Sequence, residues 1–235
     1  MFHLIFDTRF DCVIALNSEL PSLSFFLKYF SNIPIIGADG GAVKLFNMGL
    51  ISDFVVGDLD TFQKAKIERF FAGAEIIIDP SQEINDFEKA LLLAKKKDFR
   101  NILIVGFQGG ELEHTLNNWS IVKKFQSELN LCIFEKGRYG IPINYPFLLD
   151  TKKEELISII PQPFARLNTY NLRWNLNNEF LELGKREGAR NVAENDKIVI
   201  DITEGSILLF IDSRLPMCFR RQKISGPDEI RTHDL

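Results

Sequence analysis

Residues 37–60 read GADGGAVKLFNMGLISDFVVGDLD. Short apolar runs flank and end this stretch: Ile35-Ile36 leads into Gly37 and Asp39, and Phe54-Val55-Val56 leads into Gly57 and Asp58. Between them Val43, Leu45, Phe46 and Leu50 recur at helical spacing. The pattern predicts a strand, a helix and a second strand. A helical crossover makes the two strands parallel, so their carboxyl ends share one rim of the sheet, where open α/β sheets bind ligands. Asp39, Asp58 and Asp60 are expected to converge there.

Carboxylates gathered on one rim repel one another, and a hard divalent cation such as Mg²⁺, bound through oxygen and sharing its shell with substrate phosphates, is the usual counter-charge. The Gly40-Gly41 pair lets backbone approach a phosphate at a helix start, where N–H groups are free. Taken alone, Asp58-Leu59-Asp60 also fits a turn and helix N-cap.

Outward from this unit the strand and helix signals keep alternating. Towards the N-terminus, residues 12–16 read as a strand, and Leu23, Phe26, Leu27 and Phe30 as the core face of a helix; residues 1–11 lack clear periodicity and are at most an edge strand. Towards the C-terminus, Phe62, Ala65, Ile67, Phe70 and Phe71 predict a helix, and residues 75–79 a strand closed by Pro80. Asn85 is placed to cap the next helix, with Glu88 three residues on, and Asp86 falls in its first turn, where the helix dipole favours a negative charge. Residues 101–106 form another buried strand. His114 opens a helix carrying Leu116, Trp119, Val122 and Phe125, and residues 131–134 the last strand. The expected class is α/β, with a mostly parallel, doubly wound sheet over residues 1–138.

Beyond Gly137 prolines punctuate the chain and short strand signals replace helices, at 156–160, 165–170, 197–202 and 206–211. This predicts a smaller all-β sandwich over residues 139–212. Residues 213–235 show no periodicity and are expected to be disordered.

Composition narrows the function classes. A net charge of −4, with no basic run longer than Lys95-Lys96-Lys97, argues against a nucleic-acid surface. The three cysteines are far apart and without CxxC spacing, which fits a reducing, cytoplasmic setting and neither a disulfide framework nor a zinc site. Asp7 and Asp11 interrupt the N-terminal apolar stretch, so no membrane span or signal peptide is expected.

Four blocks in register resemble the thiamine pyrophosphokinase family: Ala38-Asp39-Gly40-Gly41-Ala42, Val55-Val56-Gly57-Asp58-Leu59-Asp60, QEINDFEKAL from Gln82 to Leu91, and Gly109-Gly110 followed by His114-Thr115-Leu116. The resemblance runs over residues 13–210. It implies transfer of pyrophosphate from ATP to thiamine, giving thiamine diphosphate and AMP. Asp86 would join Asp58 and Asp60 as metal ligands and catalytic carboxylates for Mg²⁺, one of the set acting as general base. ATP would be held by Asp39, Gly40, Gly41, Gly109, Gly110 and His114. Gln82, Trp174 in LRWNL and Asn191 in GARN would serve thiamine, Trp174 as a stacking face and Asn191 as a polar contact. The resemblance also implies a homodimer in which the β domain of one subunit completes the site of the other.

Four positions depart from the family pattern: Val43 stands in place of Asn, Asn85 in place of Thr, and Glu111 and Glu113 in place of Arg and Asp. Glu111 matters most, because an acid replaces a cation suited to phosphate. The alternatives are another Mg²⁺-dependent nucleotide-using transferase and a non-catalytic thiamine or nucleotide binder.

Overall fold

The computed structural model describes residues 1–108 and 112–224. The chain forms two units, residues 9–136 and, separately, residues 1–8 together with the chain from Gly137 onward.

In the first of these, six strands alternate with five α-helices among the described residues. The strands are β2 (Cys12–Ala15), β3 (Ile35–Ala38), β4 (Phe54–Gly57), β5 (Glu75–Ile78), β6 (Asn101–Val105) and β7 (Asn130–Glu135); the helices are α1 (Leu23–Tyr29), α2 (Gly40–Asn47), α3 (Asp60–Ala65), α4 (Asp86–Lys96) and α5 (Leu112–Phe125). Neighbouring strands pair in parallel in the order β7-β6-β2-β3-β4-β5. The chain therefore winds outward from β2 to β5, then crosses back to lay β6 on the other side of β2. That reversal leaves a crevice at the carboxyl ends of β2 and β6, the place where such sheets bind ligands.

Both faces of this sheet are covered, as the unbroken apolar strand runs require. Ile14, Ile36, Val56, Ile104 and Leu131 face Phe87 and Leu91 of α4 and Val122 and Phe125 of α5 in one core. Val55 points the opposite way, into a second core with Ala42 of α2, Phe62 of α3, and Leu59 and Phe71. The adjacent residues Val55 and Val56 thus serve opposite layers, the period-2 rule of a strand. Asn85 caps α4 as expected, its Oδ1 accepting the Glu88 N–H at 2.9 Å.

Among its described residues the other unit has strands and no helix: β1 (Phe2–Arg9), β8 (Arg138–Ile143), β9 (Phe147–Asp150), β10 (Leu156–Tyr170), β11 (Glu179–Glu182), β12 (Gly188–Val192), β13 (Lys197–Asp212) and β14 (Met217–Lys223). Its axis is the long antiparallel pair β10 and β13, from Ser158↔Phe210 to Tyr170↔Val199. The register slips between Pro161 and Ala165 and again after Arg166, so the ladder bends and its two ends take different neighbours. One end runs β12-β10-β13-β8 and the other β11-β10-β13-β9.

Three expectations are corrected here. The four short strands predicted at 156–160, 165–170, 197–202 and 206–211 are two long ones: Pro161, Pro163 and Gly205 read as breaks but sit at the bend, where irregular pairing tolerates them. Residues 1–8 do not belong with the α/β sheet over 1–138; β1 pairs in parallel with β9, Phe2↔Phe147 through Leu4↔Leu149. The stretch after residue 212 is not a disordered tail throughout. Met217–Lys223 forms β14 beside β1, with Cys218 and Phe219 buried and Arg220 paired to both oxygens of Asp7. The remainder of the expected tail, 225–235, lies outside the described residues. Among the described residues no helix is long and apolar enough to cross a membrane.

Candidate active site

The acidic loops meet at the carboxyl rim because two residues accept unusual backbone geometry. Asp39, just after β3, has φ 36° and ψ −103°. Its N–H donates to the Val56 carbonyl at 2.9 Å, and its buried carboxylate accepts the Phe62 N–H of α3 at 3.0 Å. Leu59 is left-handed at φ 63°, a cost of order 1 kcal/mol or more for a residue with a side chain. It is held there by full burial in the core between α2 and α3. This reversal folds Asp58 and Asp60 onto one side, and the Asp60 N–H donates to Asp58 Oδ1 at 3.3 Å.

The outcome is a cluster in which Asp39, Asp58 and Asp60 each present a carboxylate oxygen within 4.8 Å of the others. This is the trio expected from strand ends alone. Each member has a donor of its own: the Phe62 N–H for Asp39, Gln82 Nε2 at 3.0 Å for Asp58 Oδ2, and Lys64 Nζ for Asp60 Oδ2. The hydrogen bond from Lys64, with a second from Thr61, holds the Asp60 carboxyl below the ordinary carboxylate range.

Asp86, the ligand implied by resemblance, is not one of the three. It reaches the same region from the first turn of α4 because Gly57 lacks a side chain: a Cβ there would lie 2.8 Å from Asp86 Oδ1 and 3.1 Å from Asp39 Cβ. Asp86 is half-buried, and burial raises its pKa; the charges of Asp58 and Asp39 push the same way and Lys89 opposes them. Lys89 is itself buried. Its ammonium donates to the Asp79 carbonyl at 2.8 Å and to Asp86 Oδ1 at 3.4 Å, fixing a cation under the acidic rim.

Beside the cluster opens a cleft of about 470 Å³, a size typical of small-molecule sites. It lies at the β2/β6 reversal, with Asn17 and Ser18 following β2, Asp39 and Gly40 following β3, Asp86 from α4, and His114 and Asn118 from α5. His114 is thus in the cleft wall. Gly41 serves packing: a Cβ on it would sit 2.1 Å from the Ala15 carbonyl oxygen, so the pair seats the first turn of α2 against the end of β2, and only Gly40 lines the cleft. Gly109, Gly110 and Glu111 lie outside the described residues.

In the all-strand unit Trp174 and Asn191 form one device. The Trp174 indole is 60 % exposed, with the Arg173 guanidinium 5.9 Å from its ring centre. Asn191, on β12, is buried and brackets the Trp174 backbone: Oδ1 accepts the Trp174 N–H at 3.2 Å and Nδ2 donates to the Trp174 carbonyl at 2.7 Å. Oδ1 also accepts the Val192 N–H at 2.8 Å. Asn191 therefore positions the indole and has little left to offer a ligand.

Sequence reading missed Asn17, Ser18 and Asn118 in the cleft, since polar residues after a strand or on a helix carry no signature. Lys89 and Lys64 did carry one. Each lies one helical turn after an acidic residue, Asp86 and Asp60, at the i,i+3 and i,i+4 spacings that pair charges.

Comparison with known proteins agrees with this architecture. Residues 27–133 match the family model described as "Thiamin pyrophosphokinase, catalytic domain". The chain is 23 % identical over 228 residues to thiamine pyrophosphokinase 1 of Oryza sativa subsp. japonica, covering 84 % of this chain and 85 % of that protein. It is 26 % identical over 183 residues to thiamine pyrophosphokinase of Bacillus subtilis (strain 168), covering 74 % and 85 %. Among solved structures, yeast thiamin pyrophosphokinase superposes with a TM-score of 0.74 at 16 % identity, covering 87 % of this chain and 86 % of that one. Thiamin pyrophosphokinase from Candida albicans gives 0.73 at 15 % identity, covering 90 % and 98 %. At these identities the structural likeness speaks for the fold.

Proposed function

We propose that the chain is a member of the thiamin pyrophosphokinase family, whose catalytic-domain model matches residues 27–133, and that it transfers the pyrophosphoryl group of ATP to the hydroxyethyl oxygen of thiamine, giving thiamine diphosphate and AMP. The observation that carries the reading is the convergence of Asp39, Asp58 and Asp60 beside a cleft at the sheet's reversal point.

The donor set fits a hard divalent cation: the cluster offers only carboxylate oxygens, the ligands Mg²⁺ prefers. Asp58 and Asp60 would hold it, with Asp39 as the third carboxylate of the cluster, which leaves Asp86, the ligand implied by resemblance, free for another role. What bound Mg²⁺ supplies is neutralisation of charge on the phosphoryl oxygens. The rest falls to the chain itself. In the transfer a bond forms between the thiamine hydroxyl oxygen and the β-phosphorus, the bond from that phosphorus to the α–β bridging oxygen breaks, and AMP departs with that oxygen. Such reactions depend chiefly on positioning and charge neutralisation. The hydroxyl proton must go to a nearby base. Asp86 suits that role by place, since it lines the cleft outside the trio. His114 and Gly40 in the cleft wall favour seating ATP there. Gln82, anchored on Asp58, and Trp174, held by Asn191, are assigned to thiamine. We extend the reading to a homodimer in which Trp174 of one subunit serves the cleft of the other.

The test is incubation with ATP, Mg²⁺ and thiamine, with AMP and ADP measured separately. AMP release that depends on thiamine is the expected result. ADP as product, or turnover indifferent to thiamine, would refute the assignment.

A further inference from the structure

Two lysines attend the acidic rim, and they differ in freedom. The Lys89 side chain is 3 % exposed and pinned to a backbone carbonyl, so its charge cannot leave. Lys64 is 76 % exposed and hangs from the last turn of α3 on a flexible four-carbon stem, yet its ammonium rests on Asp60 Oδ2. An acid four residues before a lysine is the favourable order for a helix pair, and many such pairs are simply surface decoration. What sets this one apart is the acid. Asp60 belongs to the group whose oxygens lie within 4.8 Å of one another, and the same ammonium also feels the charges of Asp39 and Asp58.

We infer that Lys64 is a tethered competitor for the divalent cation: in the free protein its ammonium occupies Asp60, and on cation entry it is released to the polyphosphate of the nucleotide. This rests on reading the acidic cluster as a divalent-cation site. Three carboxylates without a counter-charge would repel one another, and a monovalent cation on a long stem relieves that repulsion without blocking entry. Displaced from Asp60, the ammonium remains anchored one turn away as a strongly hydrated point charge, which suits a phosphate oxygen.

The test is Mn²⁺ titration of the nucleotide-free protein, following free Mn²⁺ by electron paramagnetic resonance, for the parent chain, Lys64→Gln, Lys64→Arg and Asp58→Asn. Lys64→Gln should bind Mn²⁺ about two- to fivefold more tightly at low salt, the range expected from removing an exposed ion pair, and the gain should shrink as salt is raised. Lys64→Arg, which keeps the charge, should bind like the parent. With Mg²⁺ at a concentration that saturates both proteins, Lys64→Gln should bind ATP more weakly than the parent. If the parent chain binds no Mn²⁺, the cation reading falls and this inference with it. If the parent binds and Asp58→Asn does not, but Lys64→Gln matches the parent or is weaker, the cation site stands and the competitor role is overturned. Equal ATP binding by Lys64→Gln and the parent at saturating Mg²⁺ would overturn the release to phosphate.

Discussion

Replacing Asn191 with alanine tests whether Asn191 contacts thiamine itself or only holds Trp174, the proposed thiamine contact. The amide makes three hydrogen bonds from a buried position, two to the Trp174 backbone and one to the Val192 N–H. At about 1 kcal/mol net for each bond, Asn191→Ala should lower stability by roughly 2–3 kcal/mol. Some of that returns if water enters the space and satisfies the Trp174 carbonyl. The measurement is urea unfolding of the parent and variant, with tryptophan fluorescence as a second readout. The chain has two tryptophans, so a Trp119→Phe background leaves Trp174 as the sole probe. The indole should become more mobile, and the Michaelis constant for thiamine should rise towards that of Trp174→Ala while the constant for ATP holds. Adding Asn191→Ala to Trp174→Ala should then cost little further thiamine affinity. The reasoning is refuted if Asn191→Ala weakens thiamine binding with stability and Trp174 fluorescence unchanged, since that pattern belongs to direct contact.

Other outcomes follow from the acidic rim. Asp60→Asn should abolish Mg²⁺-dependent turnover with the fold intact by circular dichroism; normal activity in a folded variant would sink the metal-ligand role. Asp86 has a folded-state pKa above its ordinary value of 3.8, so the folded protein holds the proton more tightly than the unfolded chain. Its contribution therefore favours folding at low pH and is lost as pH rises through the raised pKa, and Asp86→Asn should flatten that part of the metal-free stability profile measured by urea unfolding. Mixing Trp174→Ala with Asp58→Asn should restore part of the activity, because a mixed dimer contains one site free of both changes; no recovery despite demonstrated subunit exchange would place the whole site in one chain.

The amino-acid sequence by itself determined the alternation of strands and helices over residues 12–135, the Asn85 cap, and the meeting of Asp39, Asp58 and Asp60 at one rim. These are consequences of local pattern: a period of two or 3.6 decides which face is apolar, and residues just after parallel strands share an end of the sheet. Tertiary structure alone decided the pairing of residues 2–4 with 147–149, the adjacent strand at Met217–Lys223, and the continuity of β10 and β13 through their prolines and glycine. It also showed that Asn191 grips the Trp174 backbone, that Gly57 leaves room for Asp86, and that of the two lysines beside the carboxylates Lys64 is exposed and Lys89 buried. Strand partners and buried amide contacts join residues far apart in the chain, and no local period encodes which distant backbone will supply the missing hydrogen bonds.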